Sequence, residues 1–140
     1  MAVMDKIEVL RRKYRKQLAA VTLFEELKEQ LDPLIQGIEE LSKVSDSSID
    51  FGEGEELKVL LTLEGKRAMI SLKERSNEII AKRLEENVAV EISLLVEEES
   101  ELSVRTNVMP IHQRLNKEDS KPEILLDTIL NELFFDVTQR

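Results

Sequence analysis

The chain has 140 residues, 35% of them charged, with a net charge of −9, 4% aromatic residues, and neither Cys nor Trp. A chain of this length makes one domain, burying roughly two-thirds of the surface it exposes when unfolded, here around an aliphatic core of Leu, Ile and Val. No cysteine means no disulfide, thiolate metal site or cysteine nucleophile. With no apolar run near the ~18 residues of a membrane span and no signal-peptide h-region, a cytoplasmic location without a membrane partner is expected.

From Val3 to Leu41 apolar residues recur at spacings of three and four: Val3, Ile7, Leu10, Tyr14, Leu18, Val21, Phe24, Leu27, Leu31, Leu34, Ile38 and Leu41. This is an amphipathic helix with a near-heptad stripe, about 60 Å long if unbroken at 1.5 Å per residue. Pro disfavours helix at the residue before it and suits a first helical position. Asp32-Pro33 therefore predicts a kink or break, with a long helix to about Leu31 and a short one to about Lys43. Charge also divides the element. Residues 1–16 carry six basic and two acidic side chains, and residues 17–44 carry two basic and six acidic. The basic cluster Arg11, Arg12, Lys13, Arg15 and Lys16 lies towards the helix start, where cations oppose the macrodipole, so something else must compensate it. The whole excess of negative charge falls in residues 45–140, with twelve basic against twenty-one acidic side chains.

Val44 to Glu56 reads as a polar loop. Leu57 to Leu72 reads as a β-hairpin turning at Glu64-Gly65, which sets Leu61 against Ala68, Val59 against Ile70 and Leu57 against Leu72 on one apolar face. A slip of one residue would turn that set towards water, so the register is strongly specified. A middle helix is predicted over about Ser76 to Glu86, with Ser76 as cap, Ile79, Ile80 and Leu84 inward, and Asn87 at its end. Val88 to Glu97 alternates as a strand, and Leu102 to Val108 matches it across a loop at Glu98-Glu99-Ser100. That hairpin pairs Val96 with Leu102 and Leu94 with Val104. A mostly polar loop from Met109 to Lys121 follows. Ser120 and Glu123 then fit a capping box opening a helix whose wide apolar stripe is Leu125, Leu126, Ile129, Leu130, Leu133, Phe134 and Val137.

The expected fold is thus α+β, with a four-stranded, mainly antiparallel sheet of two hairpins. A long N-terminal helix, a middle helix and a C-terminal helix would cover one face. Residues 1–140 form a single domain, with a helical arm over 1–44 and a ββ-α-ββ-α body over 55–140. In this order of elements the chain resembles the small acidic chaperones of type III secretion systems, which alternate helices and short strands. The likeness is one of architecture alone.

Chemistry is sparse. His112, the only histidine, has no neighbouring ligands at metal-site spacing and no partners of a triad, which predicts a surface or packing role. The acidic runs Glu53/Glu55/Glu56 and Glu97/Glu98/Glu99/Glu101 lack calcium-loop spacing and read as solvated turns. Gly52-Glu53-Gly54 precedes a strand in an acidic setting and is no phosphate loop. No metal and no cofactor are expected. The sharpest feature is the basic cluster, which could pair with the protein's own acidic body, with an acidic partner protein or with phosphates.

The expected function is a non-catalytic protein-protein interaction module, an adaptor, chaperone-like protein or inhibitor with an acidic surface. Its partner-binding residues would be Leu10, Arg11, Arg12, Lys13, Tyr14, Arg15, Lys16 and Leu18. A homodimer through the first helix is expected as well. Laid antiparallel, it sets the basic cluster against Glu25, Glu26, Glu29 and Asp32 of the partner. The alternatives are a nucleic-acid-associated protein using Arg11 to Lys16, disfavoured by the net charge, and a carboxylate-dependent hydrolase.

Overall fold

The computed structural model describes residues 2–52, 57–98, 101–107 and 111–137. The acidic run Glu53/Glu55/Glu56, the loop residues Glu99 and Ser100, and the strand end at Val108 lie outside them. Two helices open the chain, α1 over Val3–Lys13 and α2 over Arg15–Leu41. Seven strands follow: β1 Ser48–Phe51, β2 Lys58–Leu63, β3 Lys66–Leu72, β4 Glu78–Arg83, β5 Glu91–Val96, β6 Leu102–Thr106 and β7 Gln113–Arg114. Helix α3, Pro122–Leu133, comes last. The strands form one sheet in sequence order, each antiparallel to the one before.

The sheet is therefore seven-stranded and not four-stranded, although the class remains α+β. The largest correction is at Ser76 to Glu86, which is no helix. Residues 78–83 are strand β4, pairing Ile79 with Leu72 of β3 and with Leu94 of β5. Its inward positions are Ile79, Ala81 and Arg83, all buried, while Ile80 points outward. An inward arginine and an outward isoleucine hide the alternation, and the adjacent Ile79-Ile80 mimics a helical stripe. Ser76 closes a β-turn instead of capping a helix: its amide donates to the Lys73 carbonyl and its hydroxyl accepts from the Glu78 amide.

Two more strands were missed: β7, Gln113–Arg114, inside the loop predicted over Met109 to Lys121, and β1 inside the loop predicted over Val44 to Glu56, where Ile49 and Phe51 pair with Leu61 and Val59. Four residues are too few for a period-2 pattern to stand out. The break predicted at Asp32-Pro33 is absent, and α2 runs through Pro33. Leu31 before the proline and Ile38 after it are both buried on one face, so packing on both sides holds the helix across a residue that lacks an N–H. The interruption falls instead at Tyr14 (φ −106°, ψ 25°). Ser120 does not cap α3 either: Lys121 takes that place with no side-chain bond, Pro122 follows, and the Ser120 hydroxyl donates to the Asn116 carbonyl.

Both hairpin registers hold. Glu64 (φ 51°) and Gly65 (φ 79°) make a two-residue turn with positive φ at both positions, the form whose twist matches the strands it joins. Leu61 pairs with Ala68, Val59 with Ile70, Val96 with Leu102 and Leu94 with Val104. Their inward side chains meet Ala20, Leu23, Phe24, Leu27 and Leu31 of α2, and Leu125, Leu126, Ile129 and Leu133 of α3. One sheet face and two helices thus enclose the core.

Candidate functional site

Helix α1 stands apart from that core. None of its residues is buried, and Val3, Met4, Val9 and Leu10 are exposed. The backbone bonds from the Tyr14 amide to the Leu10 carbonyl and from the Leu18 amide to the Tyr14 carbonyl carry it directly into α2. The near-heptad stripe therefore splits at the sheet. Phe24, Leu27 and Leu31 enter the protein's own core, while Leu10, Tyr14 and Leu18 remain exposed.

Where α2 meets the sheet, an open groove of about 590 Å³ runs between its first turns and the joined ends of β5 and β6. Leu18 and Ala19 supply most of its accessible apolar surface, over a floor of the nearly buried Leu23, Val96 and Leu102; Arg11, Arg12, Arg15 and Glu26 supply its charges. The break at Tyr14 changes the expected charge problem: Arg11, Arg12 and Lys13 fall in the last turn of α1, where the macrodipole favours cations, and only Arg15 and Lys16, in the first turn of α2, are compensated from the β5–β6 connection. Arg15 Nη2 donates to Glu98 Oε2 at 2.8 Å, and Lys16 Nζ lies 3.5 Å from Glu98 Oε1 and 4.0 Å from Glu97 Oε2. The Arg15 hydrogen bond, helped by the Lys16 charge, holds the Glu98 carboxyl below its usual pKa. Arg11 pairs with Glu8 at 3.1 Å, one turn back on α1. All four pairs are at least partly solvent-exposed, so water and salt screen them and the groups can exchange partners.

No protein-family model, curated protein or solved structure matches the chain. The resemblance to type III secretion chaperones gains nothing from these comparisons, and an unbroken seven-strand meander departs from their alternation of helices and strands.

Of the residues singled out in the sequence, the groove gathers Arg11, Arg12, Arg15 and Leu18. Lys16 faces the acidic connection, and Lys13 Nζ sits 5.4 Å from the Tyr14 ring centre. Leu10 and Tyr14 lie on the arm outside the groove lining. Sequence reasoning missed Val96 and Leu102 as groove residues. Their cross-strand pairing was legible; that α2 would come to rest beside that pair was not.

Two polar clusters lie elsewhere. On the outer sheet face the Ser93 hydroxyl donates to Glu78 Oε2 at 2.5 Å, and His112 Nε2 lies 3.2 Å from Ser93 Oγ. His112 therefore has company, but the arrangement is not that of a nucleophile and its base. A hydroxyl has one proton, and here the carboxylate takes it, so the imidazole donates to the oxygen rather than accepting from it. Ser93 is also only 1% exposed. The cluster ties the segment before β7 to the sheet. Ser93→Ala is expected to cost about 1–3 kcal/mol, because it strands polar partners of a buried hydroxyl. Urea unfolding measures this, and an unchanged midpoint would show that these bonds contribute nothing.

The second cluster is centred on Arg83, inward on β4. Its Nε donates to Glu85 at 2.9 Å, and Nη1 donates to Asp136 at 2.8 Å and to the Leu133 carbonyl at 3.0 Å. Burial opposes the guanidinium charge, but hydrogen bonds to Glu85 and Asp136 outweigh it and raise the Arg83 pKa. Among the described residues no group of His, Asp or Glu side chains is placed to hold a metal ion, and no helix is long and apolar enough to cross a membrane.

Proposed function

We propose that this chain is a non-catalytic, cytoplasmic protein-interaction module whose working surface is the α1 arm together with the groove beside it. One observation carries the reading: α1 buries nothing yet exposes Val3, Met4, Val9 and Leu10, and leads directly into an apolar groove. An exposed apolar stripe continuous with a recess is what an interface leaves when its partner is away. The expected homodimer is not carried into this reading. Its antiparallel seam would extend through Leu27 and Leu31, which fill the protein's own core. The remaining exposed stripe, Val3 to Leu18, is short and lies on a segment with six basic and two acidic side chains.

A photoreactive amino acid placed at Leu10 or Leu18 tests this in cells of the native source, with Asp50 on β1 as a control position. Covalent adducts with protein are expected at the first two sites and not at the third. Adducts with nucleic acid, or none, would overturn the reading.

A further inference from the structure

We propose that the groove receives an acidic amphipathic helix from a partner protein; this rests on the interaction-module reading above and names the class of partner. Three arginines and one glutamate line the recess, so it is net positive on a chain of charge −9. Two of these arginines already hold carboxylates, Arg11 that of Glu8 and Arg15 that of Glu98. Both pairs are exposed and exchangeable, and a guanidinium fork suits a carboxylate better than it suits any other side chain. Arg12 has no ion-pair partner among the described residues. Between these cations and Glu26 lies apolar surface, chiefly from Leu18 and Ala19, over a floor closed by the buried Leu23, Val96 and Leu102. An occupant must therefore be apolar along one side and acidic beside it.

The wall also favours a helix. Arg15, Leu18, Thr22 and Glu26 stand three to four residues apart and form a ridge along α2, against which the ridges of a second helix can pack. From Arg15 to Glu26 the wall along α2 is about 16 Å long at 1.5 Å per residue, matching some eleven residues of partner helix, with Arg11 and Arg12 reaching in from α1 beyond it. An extended peptide would need free main-chain groups. Val96 and Leu102 pair with each other, and the Val96 amide donates to the Asn77 carbonyl. A second copy is a poor occupant, because its exposed arm brings Lys6, Arg11, Arg12 and Lys13 against only Asp5 and Glu8.

The test is selection of a randomised 16-residue peptide library on the immobilised full chain, followed by fluorescence titration of the enriched peptides. Enrichment of sequences with apolar residues at i, i+3, i+4 and i+7 and flanking Glu or Asp is expected. Binding should weaken at least tenfold on combined Arg11→Glu, Arg12→Glu and Arg15→Glu substitution, and on Leu18→Asp. All four side chains are exposed, so circular dichroism and melting of these variants should match the parent. Basic or uncharged peptides that still lose binding on Leu18→Asp would overturn the acidic class and leave the interaction module standing. No enrichment, or binding indifferent to both variants, would overturn both. Sedimentation showing a dimer at micromolar concentration that Leu18→Asp dissociates would assign the groove to a second copy and overturn the proposal.

Discussion

Deleting residues 127–140 is expected to abolish cooperative folding. The deletion removes Ile129, Leu133 and Phe134, all buried between α2 and the sheet. Fully burying a large apolar side chain contributes about 1.5–3 kcal/mol, so the three together approach the whole net stability of a small domain, about 5–15 kcal/mol. The loss does not stop there. Asp136 and the Leu133 carbonyl, which receive the Arg83 guanidinium, leave with the helix, and a cation on the inner sheet face is left to Glu85 alone. The product should bind a hydrophobic dye, give poorly dispersed amide resonances and aggregate on a sizing column. With no Trp and a single Tyr, near-ultraviolet dichroism is a weak probe, and the amide spectrum is the better one. A monomer with dispersed amides and a sharp unfolding transition would show α3 to be a detachable arm.

The same helix illustrates what the sequence made legible. Its stripe from Leu125 to Phe134 is dense enough that only burial explains it, and Leu125, Leu126, Ile129, Leu133 and Phe134 are indeed buried. The two hairpins were equally legible, because alternating apolar residues around a two- or three-residue turn determine their own register. Strand β4 was not. Its inward row holds a charged residue whose partners lie two residues on, at Glu85, and fifty-three residues on, at Asp136; only the folded chain shows why an arginine belongs there. Pro33 misled for a related reason. The cost of a proline in a helix is local, whereas Leu31 and Ile38 hold the helix through tertiary packing. At the groove, the cations and Leu18 could be read from the basic cluster and the stripe. The apolar surface they face required knowing that α2 rests beside the end of the β5–β6 hairpin.

Replacing Arg83 with Ala is expected to destabilise the protein by about 2–3 kcal/mol at neutral pH. Breaking a fully buried ion pair from one side costs about 3–5 kcal/mol, and a smaller loss is expected here because Glu85 and Asp136 keep some access to water. The loss should also depend on pH in a definite direction. Hydrogen bonds from Arg83 lower both carboxyls, Glu85 from an ordinary 4.5 and Asp136 from an ordinary 3.8. A carboxyl lowered on folding binds fewer protons in the native state than in the unfolded one. Its contribution is therefore complete above the unfolded value and disappears as pH falls through the folded value. From pH 7 down to about 4.5 the gap between parent and variant should stay constant. Below that it should narrow, as the parent loses what the variant never had. Arg83→Lys should recover only part of the gap, since an ammonium cannot place parallel donors on Glu85, Asp136 and the Leu133 carbonyl together. Urea unfolding at pH 7, 5 and 3 gives all these values. A gap that stayed the same at pH 3 would show that the two carboxylates owe their stability to something other than Arg83.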